Sequence, residues 1–222
     1  FGAALAKAGA DVTFVARGAH LAAMKRDGLK IQSPRGDTHL VPTQATDNPA
    51  GIGAVDIVLF CVKLWDVESA GEAIKPLVGP NTAVIPLQNG IDAADRLIPI
   101  LGRDAVMAGV AQMSAAIERP GVIRQTGTFM SIVFGELDGR MSERAAAFLA
   151  ICRKAGFDAA VTDAIQTALW EKFVLLAVNS AVVSLVRLPF GKLRDDPDVF
   201  ALFSASYDEA IAIARGLGVT LR

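Results

Sequence analysis

From the start of the chain to about residue 163, short β-branched apolar runs alternate with stretches of helical period. Residues 1–8 are alanine-rich and helical, and Gly9 stands where a C-terminal cap belongs. The run over 11–16 predicts a buried strand that Arg17-Gly18 ends. A helix over 19–26 follows, then two edge strands over 29–31 and 39–41 around the turn Ser33-Pro34-Arg35-Gly36. The cleanest strand pattern is Val-Asp-Ile-Val-Leu-Phe-Cys-Val over 55–62, which runs into Lys63. A helix over 67–77, a strand over 82–87 leading into Gln88-Asn89-Gly90, a helix over 93–101 and a strand over 105–113 continue the alternation. After Arg119-Pro120-Gly121 the pattern predicts a hairpin of 122–125 and 130–134, turning at Thr126-Gly127-Thr128. A helix over 142–155 has a cap at Ser142 and an acid, Glu143, in its first turn. A strand over 159–162 closes the series.

Strands alternating with helices predict an α/β fold with a doubly wound, mostly parallel sheet. Beyond residue 163 no strand signal remains. A helix over 165–185, the segment Leu188-Pro189-Phe190-Gly191 and a helix over 198–217 read as a second, helical unit. The division is therefore a Rossmann-like domain over 1–163 and a helical substrate domain over 164–222. The Gly-rich phosphate turn that opens such a fold is not in this sequence, because Gly2 and Gly9 lack the G-x-G-x-x-G spacing. With no initiator Met and a helical pattern already under way at Phe1, the chain is expected to be a fragment: an N-terminally truncated Rossmann-like domain followed by an incomplete all-helical one.

Composition narrows the function classes. Basic and acidic residues balance at 22 and 23, which leaves no electrostatic footprint for nucleic acid or an anionic membrane. A small-molecule ligand is the better expectation. The longest apolar run, 173–186, is interrupted by Asn179, Ser180 and Ser184 and flanked by Lys172 and Arg187. A bilayer-spanning helix needs about 20 apolar residues, so this run reads as a buried core helix and not a membrane span. Cys61 and Cys152 sit far apart in apolar runs, with no CxxC spacing; buried, reduced thiols, a cytoplasmic setting and no metal site are the expectation.

In an open α/β sheet, ligands bind beyond the carboxyl ends of the strands. Three such ends carry polar residues here: Arg17, Lys63 and Gln88-Asn89-Gly90. Each has an ordinary reading as a surface or turn residue, and their common position at three strand ends makes the joint case. An acid ending the second strand of a dinucleotide fold would accept from the ribose 2′-hydroxyl of NAD, whereas an arginine pairs with the 2′-phosphate of NADP. With Arg17 there and no acid before Asp27, NADP(H) is favoured. A second constellation is Leu169-Trp170-Glu171-Lys172-Phe173, where Lys172 opens the most apolar helix. At 100° per residue Asn179 falls about 20° and Ser180 about 80° from Lys172, so lysine, amide and hydroxyl share one side. Desolvation lowers a lysine pKa toward a value useful for acid catalysis. The plainer alternative is a lysine snorkelling from a helix end with Asn179 bonded inside the core.

Taken in order, these motifs resemble the ketopantoate reductase family over nearly the whole chain. The resemblance rests on Ala3 to Gly9 with Val12 to Gly18, on Asp56 to Lys63, on Leu87-Gln88-Asn89-Gly90, on Leu169-Trp170-Glu171-Lys172, and on Leu188-Pro189-Phe190-Gly191 with Leu193-Arg194. It implies metal-free reduction of a 2-oxo acid to a 2-hydroxy acid by NADPH. Arg17 would hold the 2′-phosphate, Lys63 and Asn89 would border the nicotinamide end, and Asn89 would also touch substrate. Lys172 would match the catalytic lysine, with Asn179 and Ser180 lining the substrate side. The family's familiar members carry asparagines where this chain has Leu176 and Ser180, and another where it has Phe190. Ketopantoate and a more apolar 2-oxo acid are thus equal expectations. A homodimer is compatible with the resemblance. Two other readings stay open: another NADP-linked hydroxyacid or opine-type dehydrogenase, and a non-catalytic dinucleotide-binding protein on the same fold.

Overall fold

The computed structural model describes all 222 residues. Helix α1 (Gly2–Lys7), strand β1 (Phe14–Val15) and helix α2 (Gly18–Asp27) open the chain. Strands β2 (Leu29–Gln32) and β3 (Thr38–Leu40) pair antiparallel around the turn at 33–36. Strand β4 (Ala45–Thr46), absent from the sequence reading, pairs parallel with β1. Strand β5 (Ile57–Phe60), helix α3 (Val67–Ala73), strand β6 (Ala83–Pro86) and helix α4 (Ala93–Leu101) follow. The expected helix over 67–77 stops early as α3, because Pro76 belongs to a separate 3-10 turn. The rest is strand β7 (Met107–Arg119), strand β8 (Val122–Glu136), helix α5 (Glu143–Lys154), strand β9 (Asp158–Val161), helix α6 (Ile165–Val186) and helix α7 (Pro197–Gly216).

Four of the six strand ladders are parallel: β1 with β4, β2 with β8, β5 with β6, and β8 with β9. The architecture is an α/β layer followed by helices, as the alternating pattern implied. The hairpin expectation is corrected. Thr126-Gly127-Thr128 is not a hairpin turn, for β8 runs straight through it and the hairpin is β7 with β8, turning at Pro120-Gly121. The ladder pairs Ser114 with Thr126 and resumes at Gln112 with Ser131, so residues 127–130 bulge opposite Met113. The Gln125 amide donates to the carbonyls of Gly127 and Phe129, both at 3.3 Å, and holds the bulge closed. Local turn chemistry was present, but a long partner strand on both sides of it decided the outcome.

The main core lies between the strands and α5: Ile85, Met107, Ile132 and Phe134 are fully buried and meet Phe148 and Cys152. Ser142 caps α5, its Oγ accepting from the Ala145 N–H at 3.2 Å. Beneath that cap Arg144 grips Glu136 through two hydrogen bonds of 2.7 Å and donates to the Thr82 carbonyl at 2.9 Å. This joins the end of β8, the start of α5 and the approach to β6. Cys152 is buried, and burial pushes its thiol up to about 12. Cys61 departs from expectation: β5 ends at Phe60, which leaves this residue exposed.

Helix α6 is long and apolar enough, by length and composition, to cross a membrane. Here it packs on β7, β8 and α7. Its Trp170 and Val174 cluster with Ala214 of α7, and its Val178 and Val182 with Leu193 before α7, a cluster on which Val199 and Phe203 of α7 also pack. Asp196 caps α7 by accepting from the N–H groups of Asp198 and Val199, with Pro197 in the first turn. Leu185, Phe190, Phe200 and Ile213 on this unit stay exposed.

Candidate active site

Arg17 leaves the end of β1 with 89 % of its side chain exposed, and Asp66 approaches its guanidinium at 3.8 Å. Asp66 follows Lys63 in a short 3-10 turn, its N–H donating to the Lys63 carbonyl at 2.9 Å. The segments that follow β1 and β5 are thereby linked. A pair this exposed contributes at most about 1 kcal/mol, so Arg17 is free to meet a stronger anion. A cavity of about 860 Å³ opens beside it, between α1 and the β2–β8–β7 sheet, with Phe14, Met24 and Met130 in its wall.

Lys63 and Asn89 are both exposed at the ends of β5 and β6. Gly90 takes a φ of +110°, a left-handed value that the sharp turn after Asn89 requires and that side chains resist. Gly109 on β7 is needed for a different reason. A Cβ there would lie 2.6 Å from Ile85 Cγ2 and 2.8 Å from Leu87 Cδ2. Its absence lets β6 press against β7, which fixes the depth at which Gln88 and Asn89 emerge. Ile91, just beyond, packs against the cluster of Ala108, Val110, Ile165 and Leu169 and against that of Trp170, Val174 and Ala214. The Asn89 turn therefore abuts the first turns of α6, where Lys172 sits.

Lys172 is half-buried, and its Nζ donates to the main-chain oxygen of Ala111 at 2.7 Å. Burial holds its ammonium pKa below the usual lysine value, since desolvation disfavours the charged form. Asn179 does not join it: its Oδ1 accepts from the Tyr207 hydroxyl at 3.4 Å, turned toward α7. Tyr207 in turn stacks edge-on with Phe203 at 4.9 Å between ring centres. Ser180 is exposed and Leu176 half-buried. Each histidine is tied to the main chain. His20 Nδ1 accepts from the Gly121 N–H at 3.1 Å, and His39 Nε2 lies 2.7 Å from the Asp27 carbonyl.

Sequence reasoning gave no sign of three of these contacts. Asp66 was visible only as an acid three residues after Lys63, with nothing to link it to Arg17. Gln88 was visible beside Asn89, but its contacts were not. The Ala111 carbonyl carried no signal, since any residue supplies one. No group of three or more His, Cys, Asp or Glu side chains in the structure could hold a metal ion.

An α/β fold with mostly parallel ladders and cations beyond its strand ends is the architecture of dinucleotide-binding folds. The chain belongs to the ketopantoate reductase family. Residues 1–139 match the model of ketopantoate reductase PanE/ApbA, and residues 164–222 match that of ketopantoate reductase PanE/ApbA C terminal. A 2-dehydropantoate 2-reductase of Halobacterium salinarum is 31% identical over 206 residues, covering 91% of this chain and 66% of that protein. One from Mesorhizobium japonicum is 29% identical, covering 94% of this chain and 70% of its own length. The crystal structure of a PanE/ApbA family ketopantoate reductase from Ralstonia eutropha superposes with a TM-score of 0.88 at 32% identity, over 100% of this chain and 72% of that one. The chain thus spans about two thirds of the length of these curated relatives.

Proposed function

We propose that the protein reduces a 2-oxo acid to the 2-hydroxy acid with NADPH, ketopantoate or a related branched 2-oxo acid being the substrate. The observation that carries this reading is Lys172, a desolvated ammonium held by Ala111 on the helix against which Ile91, two residues past Asn89, packs. The residues present suit an anionic dinucleotide. Arg17 and Lys63 offer exposed cations beyond the ends of β1 and β5, linked through Asp66, and Gly90 beyond β6 carries no side chain. NADPH, when bound, supplies the hydride. Arg17 pairs with the 2′-phosphate, while Lys63 and Asn89 orient the nicotinamide end and the substrate. Lys172 gives its Nζ proton to the ketone oxygen as negative charge grows there, and stabilises that charge before the transfer is complete.

Asn179 and Ser180 belong to the substrate side in this reading, with the helical residues 164–222 as the substrate domain and 1–163 as the cofactor domain. Leu176 and Phe190, where asparagines are expected of a pantoate enzyme, favour an apolar 2-oxo acid as the second substrate to test. Two free cysteines support a reducing, cytoplasmic setting. The decisive experiment follows NADPH oxidation by the intact protein with ketopantoate and a panel of branched 2-oxo acids, and determines the chirality of the product. Turnover of at least one is expected; no turnover of any would overturn the reading.

A further inference from the structure

The strands β5 and β6 pair in register up to Phe60 and Pro86. Leu87 still donates its N–H to the Phe60 carbonyl at 3.0 Å, and then the chain swings away into Asn89-Gly90. Past that point the β5 end has no main-chain partner on β6. The side chain of Gln88 supplies one. Its Nε2 donates to the carbonyls of Phe60 at 2.9 Å and of Val62 at 3.0 Å, so one amide extends the ladder to the residue immediately before Lys63.

The other end of the same amide is left without a partner: Gln88 Oε1 is buried and accepts nothing. An orphaned acceptor is a cost to folding, set against the two hydrogen bonds that the same amide donates. Its donors do define a line of contacts. Val62 leads to Lys63, the Lys63 carbonyl accepts from Asp66, and Asp66 lies 3.8 Å from Arg17. Leu64 on the same segment faces Gly90, whose Cβ position is 3.8 Å from Leu64 Cδ2.

We infer that Gln88 is a positioning residue: through its amide it sets the spacing between Asn89, which it adjoins, and the Lys63–Asp66 segment, and so shapes the mouth that receives the cofactor. The inference rests on the reading of these strand ends as the NADPH site. It assigns Gln88 no contact with substrate or cofactor.

The test compares Gln88→Met, which keeps the length and removes all hydrogen bonds, and Gln88→Asn, whose amide is one methylene too short to reach both carbonyls. In the intact protein Gln88→Met is expected to stay folded and to melt below the wild-type temperature, since the Val62 carbonyl loses its donor. Its NADPH dissociation constant, read from cofactor fluorescence, is expected to rise about tenfold, the scale of two lost neutral hydrogen bonds. Amide hydrogen exchange should quicken over 61–66 and stay unchanged over 57–60. Wild-type affinity together with wild-type exchange in a folded variant overturns the inference. Should Gln88→Met fail to fold, the same two readings on Gln88→Asn decide it. If the wild-type protein binds no NADPH, the functional reading fails and the cofactor role falls with it, while the exchange comparison still decides the clamp.

Discussion

Lys172 on α6 donates a hydrogen bond to the main-chain oxygen of Ala111 on β7 across 2.7 Å. Ala111 marks the place where β7 leaves the core: Met107 to Val110 are buried, and the strand is exposed from Gln112 onward. The ammonium is thereby held at the boundary between a dry sheet and open space. A carbonyl orients the proton but cannot accept it permanently, so the lysine remains available as an acid.

Lys172→Ala is expected to lower turnover by about 10²–10⁴-fold, the usual contribution of a general acid, with NADPH affinity little changed. Lys172→Arg should rescue poorly, because a guanidinium does not release its proton in the useful range. Reduction needs the ammonium form. Since burial lowers the Lys172 pKa, the reduction rate should fall with rising pH below the ordinary lysine value of about 10.4, and the reverse oxidation should rise over the same range. Both limbs should vanish in Lys172→Ala. Wild-type turnover by that variant would sink the mechanism.

Cofactor choice is read from Arg17. Arg17→Ala should weaken NADPH binding by about 1–3 kcal/mol, the scale of charge-assisted hydrogen bonds, and leave NADH nearly untouched. Parallel titrations with the two cofactors check this, and equal losses would remove Arg17 from the 2′-phosphate. The Asp66 carboxylate 3.8 Å away competes with that phosphate, so Asp66→Asn should tighten NADPH.

Asn89→Ala should reduce turnover more than about tenfold, the effect of one misplaced or missing contact in the transition state. Steady-state kinetics alongside a circular dichroism spectrum separates this from misfolding. A folded variant with unchanged kinetics would return Asn89 to an ordinary turn residue.

Acid stability should depend on Glu136. Burial alone would push this carboxyl up, and the hydrogen bonds from Arg144 and Ser142 outweigh it, leaving the pKa below the ordinary carboxylate value. A depressed folded pKa stabilises the protein above the unfolded value of about 4.3, and that contribution is lost as pH falls through the folded one. Glu136→Gln should cost about 3 kcal/mol at neutral pH, because it strands the largely buried Arg144 charge, and should flatten the stability profile below about pH 4. Urea denaturation across that range measures both effects; an unchanged midpoint at neutral pH would show the pair to be dispensable.

The sequence by itself determined the alternation of strands and helices, the Ser142 cap, the turn at 33–36 and the long helix that became α6. These are written in side-chain period and in local turn and cap chemistry, which a short stretch of chain carries alone. It also marked Arg17, Lys63 and Asn89 beyond strand ends, and Lys172 on the apolar helix, as candidate side chains. Tertiary structure decided what those side chains touch. Helical arithmetic set Asn179 on the side of Lys172, yet Tyr207, 28 residues away, took its oxygen. Thr126-Gly127-Thr128 had the chemistry of a turn, and β7 drew it into a bulge instead. The partner of Lys172 lies 61 residues back and is a main-chain carbonyl, a group every residue offers. Contacts of that kind arise only when separate elements dock, because their energy belongs to two distant surfaces at once and neither segment encodes it alone.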